Sequence, residues 1–151
     1  MKIIALGVVL VIGLTVSFEA HAQATKDLGK GMEASLKAKN KKRKLGDTVW
    51  DGFSYGQRWS VNGKEVEVRV FEFASPQEAS RTLEESLRSV AAADVLERPH
   101  GYGDEAFLVR DARGASTSLH FRRGKRYVTI YGNLNLVKEF ARDIAEYVAH
   151  N

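Results

Sequence analysis

The chain has 151 residues, a net charge of +4 and no cysteine. The absence of cysteine excludes a disulfide framework, a cysteine nucleophile and a lipid-modified N-terminal cysteine. The positive charge belongs to one segment, because residues 46–151 contain 14 Lys and Arg against 16 Asp and Glu. We therefore expect no specific nucleic-acid binding by this part of the chain.

Residues 1–22 have the organisation of a signal peptide. Lys2 precedes the apolar run IIALGVVLVIGLTVSF, and Ala20-His21-Ala22 has the small-x-small pattern that signal peptidase reads. This pattern predicts an exported protein, periplasmic or extracellular after cleavage near Ala22. An uncleaved membrane anchor is the disfavoured alternative, because the run is short for a bilayer span of about 20 residues.

Residues 23–45 predict a basic arm that is partly disordered or helical. Leu28, Met32 and Leu36 give any helix there only a thin apolar stripe. Six cations follow within eight residues: Lys37, Lys39, Lys41, Lys42, Arg43 and Lys44. Such a cluster attracts lipid headgroups or cell-wall polymers, although it is equally compatible with a soluble tether.

Residues 46–151 predict a single α+β domain that begins with an aromatic-rich segment. The stretch WDGFSYGQRW contains four large aromatic residues. Exposed rings of this kind stack on sugars or bases, whereas buried rings belong to the core. One interpretation is a shallow ligand groove; the other is a core position. The groove residues would be Trp50, Tyr55, Trp59 and Tyr102.

The order of elements in this domain follows from turn and capping signals. Asn62-Gly63 predicts a two-residue hairpin, and Ser75 with Glu78 predicts a capping box at a helix start. Three further strands, EAFLVR, ASTSLHFR and RYVTIYG, precede a final amphipathic helix capped by Asn133 or Asn135. The sequence thus predicts β-β-α-β-β-β-α, a five-stranded, mainly antiparallel sheet with two helices on one face.

Phe71 and Phe73 do not fit the alternation of the second strand. Val66, Val68 and Val70 alternate with polar residues, but the two phenylalanines have the opposite parity. Either a bulge resets the strand, or its far end is covered on both faces.

The stretch GYGDEAF, residues 101–107, contains the closest grouping of chemically capable side chains. It lacks the third glycine and the strand-to-helix context of a dinucleotide-binding loop. His100, Asp104 and Glu105 would suit a hydrated cation or a proton relay. The alternative is a turn into a strand, in which Asp104 pairs with Arg122 or Arg123.

Two other groups are weaker candidates. His120 lies opposite to Leu119 and Phe121 in parity, so we expect it to face solvent. Four cations at the last hairpin tip would extend a basic surface or simply deter edge pairing. They are Arg122, Arg123, Lys125 and Arg126.

The order of these motifs resembles that of exported bacterial α+β domains without an assigned function. The matching features are the F-x-F strand FEF, the turn GYGDEAF, the arginine-glycine hairpin FRRGKRY and the closing helix EFARDIAEYV. The resemblance covers residues 64–149. It implies an extracytoplasmic, sensor-like or binding domain with no catalytic residues to transfer to this chain. We also expect no cofactor. The lysine-rich segment has no counterpart in that pattern.

The sequence therefore predicts an exported, non-enzymatic binding domain for an unknown protein or cell-envelope partner. Its basic arm would tether it to an anionic surface. The first alternative is a protein that binds an anionic polymer or membrane surface through residues 37–44. The second is a small hydrolase or metal-dependent enzyme at His100, Asp104 and Glu105.

Overall fold

The computed structural model describes the backbone of residues 4–111 and 116–151, and the side chains from residue 19 onward. Met1–Ile3 of the predicted signal peptide and most of the predicted turn DARG lie outside the described residues. The elements are α1 Ile4–Lys39, β1 Lys44–Trp50, β2 Tyr55–Val61, β3 Lys64–Glu72, α2 Pro76–Arg88, a short 3-10 helix Ala92–Asp94, β4 Val95–Glu97, β5 Glu105–Arg110, β6 Thr117–Arg123, β7 Arg126–Gly132 and α3 Leu134–His150.

The strands form one antiparallel sheet with the order β1-β2-β3-β7-β6-β5-β4. The α+β class is confirmed, but the predicted number of five strands is wrong. The two additional strands are the edges of the sheet. β1 begins within the predicted basic arm, and β4 has only three residues, so neither shows the alternation that identifies a strand.

Hairpin and capping signals were reliable guides to local structure. Asn62 and Gly63 have φ values of 50° and 77° and join β2 to β3 in a two-residue turn. Ser75 Oγ accepts a hydrogen bond from Glu78 N at 3.2 Å, which caps α2. Asn133 caps α3 in the same way through Asn135 N.

The two faces of the sheet are covered by different helices. The helix-pair face, covered by α1 and α3, carries the main core, including Trp59, Val68 and Ile130. The α2 face, covered in part by α2, carries a smaller cluster around Leu83, Phe107 and Tyr127, with Phe71 and Phe73 against it. The prediction of two helices on one face is therefore wrong.

This arrangement explains the parity of Phe71 and Phe73. The pairing of β3 with β2 and β7 continues without a register shift, so no bulge resets the strand. The even-numbered valines of β3 face α1 and α3, while Phe71 faces the α2 side. The far end of β3 is covered on both faces.

Residues 23–39 are a core helix and not a separate arm. Leu28, Met32 and Leu36 are buried in the main cluster. Gly29 lies so close to the Tyr55 ring that a Cβ atom would overlap it, and its carbonyl accepts a hydrogen bond from Gln57 Nε2 at 2.7 Å. A thin apolar stripe is sufficient here because the glycine lets the helix backbone approach the sheet directly.

Within the described part of the chain, no helix combines the length and apolar character needed to cross a bilayer.

Candidate functional site

The GYGDEAF segment forms the turn that leads into β5, and hydrogen bonds attach this turn to the β6–β7 hairpin. Gly101 has a φ of 94°, and a Cβ atom on Gly103 would overlap the carbonyl of Arg122. Asp104 N donates to that carbonyl at 2.8 Å, and Asp104 Oδ2 accepts from Arg122 Nη1 at 2.9 Å and Gly124 N at 2.8 Å. The turn interpretation and the predicted Asp104–Arg122 pair are confirmed.

The remaining groups of this segment have separate environments. Glu105 Oε2 accepts hydrogen bonds from Arg122 Nε at 3.4 Å and Ser80 Oγ at 3.2 Å, while the side chain of His100 is exposed. Among the described residues, no three His, Asp or Glu side chains converge as metal ligands would. Asp104 and Glu105 thus both form ion pairs with Arg122.

The predicted cationic cluster is divided by the fold. Lys37 pairs with Glu33 at 2.7 Å, and Lys39 pairs with Asp143 and Glu146. The hydrogen bond to Glu146 is the main reason why the pKa of Lys39 is raised. These two lysines are held by intramolecular partners.

Arg43 is buried in the turn after α1 and joins α1 to α3. Its Nη2 contacts Glu139 at 2.7 Å and Asp143 at 2.6 Å, and Nη1 donates to the Leu36 carbonyl at 3.3 Å. Its guanidinium carbon lies 4.3 Å from the centre of the Phe140 ring. Arg43 is therefore a core residue and not part of a binding surface.

Only Lys41, Lys42 and Lys44 of the predicted cluster are exposed and form no ion pair with any described residue. They lie in the turn after α1 and at the start of β1. The available cationic surface is thus half the size predicted.

The predicted groove does not exist as one surface. Tyr55 and Trp59 are buried on the helix-pair face, where the Trp59 ring lies 6.0 Å from Phe140. Trp50 is at the β1 edge, whereas Tyr102 precedes β5, and four strands lie between β1 and β5. At about 4.8 Å per strand spacing, β1 and β5 are about 24 Å apart.

Phe53 is the exposed member of the aromatic segment, at 54% exposure. Asp51 fixes the turn that presents it: Oδ1 accepts from Phe53 N at 2.9 Å and Ser54 N at 2.6 Å, and Oδ2 accepts from Ser54 Oγ at 2.8 Å. These hydrogen bonds, first the one from Ser54 N, lower the pKa of Asp51. Gly52 has a φ of 83°, as such a turn requires.

Phe53 forms one wall of a small, mostly apolar cavity that we call the aromatic pocket. Its volume is about 180 Å³. The Phe53 ring lies 5.9 Å from Phe73 and 5.7 Å from Phe71, edge to face in both cases. The lining residues come from α1, the β1–β2 turn and the segment from β3 to α2: His21, Ala22, Thr25, Gly52, Phe53, Glu72, Phe73, Ala74 and Glu78.

The carboxylates of the aromatic pocket have partners within the chain. Glu72 contacts Lys125 Nζ at 2.9 Å and Arg126 Nε at 3.4 Å. Glu78 Oε2 accepts from Ala74 N at 3.2 Å. The pocket therefore offers an apolar aromatic wall next to neutralised or hydrogen-bonded acids, which suits an uncharged apolar group.

The cations of the last hairpin are also largely committed. Arg122 binds the carboxylates of residues 104 and 105, and Lys125 and Arg126 bind Glu72. Arg126 additionally donates to the carbonyls of Val148 and Asn151 at the end of α3. Arg123 is exposed, so the tip does not present a four-residue basic surface.

His120 is not the solvent-facing histidine that its parity predicts, because α2 covers its side of the sheet. Its ring stacks on Phe107 with centroids 4.5 Å apart. One ring nitrogen lies 2.7 Å from Tyr127 Oη and the other 3.1 Å from Ser118 Oγ. Tyr127 Oη donates to Ser86 Oγ of α2 at 3.0 Å.

Burial lowers the pKa of His120 to about 4 and raises the pKa of Tyr127. A serine next to a histidine that is oriented by a third group has the distances of a nucleophile and its base. However, a base of this pKa is weak at neutral pH, and the strand N–H groups beside Ser118 belong to the sheet ladder. The network fits a structural connection between α2 and the sheet.

Comparison with protein-family models, curated proteins and solved structures finds no match to this chain.

Sequence reasoning missed Phe53 as the exposed ring, although a signal for it was present. The Asn62-Gly63 turn pairs Val61 with Lys64. Continuing that pairing toward the N-terminus places Trp59 and Tyr55 on the same face as the valines of β3. Phe53 lies beyond the end of β2, after an aspartate and a glycine, which is the composition of a turn.

Proposed function

We propose that this protein is an exported, non-enzymatic binding domain whose ligand or partner inserts an apolar group into the aromatic pocket. The observation that supports this most directly is the exposure of Phe53 on a turn fixed by Asp51. A large aromatic side chain held rigidly at the surface loses little entropy on binding, as is typical of interaction anchors.

Export is supported by the sequence of residues 1–22, which has the charged start, the apolar run and the small-x-small pattern of a signal peptide. A binding or sensor-like role is supported by the resemblance to exported α+β domains. The engagement of Asp104 and Glu105 by Arg122 weakens the hydrolase or metal alternative, because a cation would have to displace an arginine already present.

A fragment experiment tests the pocket. Phenol, benzyl alcohol and cyclohexanol would be titrated into ¹⁵N-labelled protein beginning at Gln23. We expect amide shifts at Thr25, Phe53 and Phe73, and loss of these shifts in Phe53→Ser. Val49→Ser is the matched control, because Val49 is 55% exposed on the neighbouring strand but does not line the pocket. Shifts confined to other surfaces, or equal loss in both variants, would contradict the proposal.

A second candidate function is binding to an anionic surface through Lys41, Lys42 and Lys44. It is favoured by the absence of ion pairs to these three lysines within the described residues. Deleting the whole arm is not a usable test, since it removes Leu28, Met32 and Leu36 from the core.

The test is retention on anionic vesicles at low and physiological salt for the chain beginning at Gln23. Changing the three free lysines to glutamine should abolish the salt-sensitive retention. Lys37→Gln is the control, because its charge is already paired with Glu33. Retention that survives the triple change, or that does not respond to salt, argues against this function.

A further inference from the structure

The predicted cleavage bond Ala22–Gln23 lies inside α1. The helix runs without interruption from Ile4 to Lys39, so the backbone on both sides of the bond is helical. A protease needs an extended backbone in its active site, and helical backbone has its N–H and C=O groups in i to i−4 hydrogen bonds. Susceptibility to cleavage depends on whether these groups are buried and hydrogen-bonded.

The helix is attached to the sheet within one turn of this bond. Thr25 is only 1% exposed, and its Oγ1 accepts a hydrogen bond from Glu72 N at 3.1 Å. On the N-terminal side of the bond, His21 and Ala22 are half-buried and line the aromatic pocket.

The attachment continues into the core. Leu28 is buried, and Gly29 contacts Tyr55 and accepts the buried hydrogen bond from Gln57. An enzyme that bound residues 20–24 in an extended form would meet the body of the domain at Thr25. Residues 20–24 can therefore become extended enough for cleavage only when the start of α1 is detached from the sheet.

We propose that Ala22–Gln23 is a processing site for a signal-peptidase-type protease that is accessible only before α1 docks on the sheet. Hydrolysis adds one water across the amide, leaving a carboxylate on Ala22 and an ammonium group on Gln23. The inference rests on the export part of the proposed function. It makes folding and processing mutually exclusive, so cleavage precedes folding of the domain.

Processing also changes the aromatic pocket. Removal of residues 1–22 takes away His21 and Ala22 and leaves the walls formed by Thr25, Phe53 and Phe73. The pocket of the processed protein is therefore more open than that of the precursor, on the side where α1 begins.

The test compares cleavage of the full-length chain in detergent by purified signal peptidase before and after folding. When the peptidase is added within seconds of dilution from urea, before the chain has folded, we expect a product that begins at Gln23. The same chain refolded beforehand should be cut at least tenfold more slowly. Across a urea series, its cleavage rate should rise with the unfolding transition. A short peptide of residues 15–27 in the same series corrects for the effect of urea on the enzyme.

Gly29→Val provides a test in native buffer, because its side chain would overlap the Tyr55 ring and displace α1. We expect the refolded variant to be cut at least fivefold faster than the refolded wild-type chain. Lys30→Val is the control, since the neighbouring position is exposed, and it should behave as wild type. Should Gly29→Val fail to fold, the urea series on the wild-type chain decides.

The outcomes separate this inference from the proposal on which it rests. Equal cleavage of refolded and freshly diluted chains would overturn the inference and leave export intact. If neither form is cut at Ala22 while the enzyme cuts a known substrate, both the processing site and the export proposal are lost.

Discussion

On the helix-pair face, α1 and α3 pack against rows of aliphatic and aromatic side chains, whereas on the α2 face a smaller apolar cluster is combined with imidazole and hydroxyl groups. The first face depends on volume and on close backbone contact. The second also depends on the protonation state of His120. We expect the two faces to respond differently to mutation and to pH.

The same contrast applies to the helices. α1 is connected to the sheet by Met32, which is fully buried, and by the glycine contact at Tyr55. In α2 only Ala79 and Leu83 are buried. We infer that α2 is the helix that opens more easily, because local opening is easiest where few apolar groups are buried.

Leucine truncation on the two faces should give the largest effects and should rank them. Leu36→Ala should lower the free energy of unfolding by about 4 kcal/mol, and Leu83→Ala by about 2 kcal/mol, within the range for buried leucines. Urea denaturation of the protein beginning at Gln23 measures both. A cost for Leu36→Ala below that of Leu83→Ala would contradict the ranking and the role of α1 as a core helix.

Removal of the buried arginine should come next. Arg43→Ala removes the buried guanidinium from Glu139 and Asp143, which keep only their contacts with Asn40 and Lys39, and it opens space beside Phe140. We therefore expect a loss of about 3 kcal/mol. Lys42→Ala, at the adjacent exposed position, should change stability by less than about 0.5 kcal/mol. Equal effects would mean that Arg43 belongs to the surface cluster after all.

Local signals in the sequence were sufficient for most of the fold. The hairpin turn, the capping residues and the apolar face of α3, which includes Phe140 and Ile144, all occur where their patterns predict. These features depend on neighbours in sequence, so the residues themselves determine them.

The features that could not be predicted depend on distant contacts. The docking of α1 relies on glycine positions, which no hydrophobic pattern reveals. The side of the sheet chosen by α2 is not encoded in its own periodicity, which says only that one face is buried. For the same reason His120 was assigned to solvent and Arg43 to a binding surface, whereas α2 and α3 bury them.

Lowering the pH from 8 to 5 should reduce the free energy of unfolding by about 2 kcal/mol through His120, which lies on the α2 face. The pKa of His120 falls from near 6.5 in the unfolded chain to about 4 in the folded protein. Between these values the unfolded state binds the proton more tightly, so this contribution to stability is present above pH 6.5 and is lost as pH falls toward 4.

The measurement is the free energy of unfolding at pH 8 and pH 5 for the wild type and His120→Gln. We expect the wild type to lose about 2 kcal/mol more than the variant over this interval. The other titrating groups are common to both chains, so their contribution cancels when the variant is subtracted from the wild type. Parallel pH profiles would show that His120 is not held neutral beneath α2.

The smallest effect should come from the hydroxyl that connects α2 to this network. Ser86→Ala removes the acceptor of the Tyr127 hydroxyl, while Tyr127 keeps its 2.7 Å contact with His120. We expect a loss of about 1 kcal/mol, the usual net value of one hydrogen bond. Hydrogen exchange should increase in α2 and remain unchanged in α3, because no residue of α3 takes part in the network. Equal acceleration in both helices would indicate that the two faces open together, and the distinction between them would then be one of composition and not of stability.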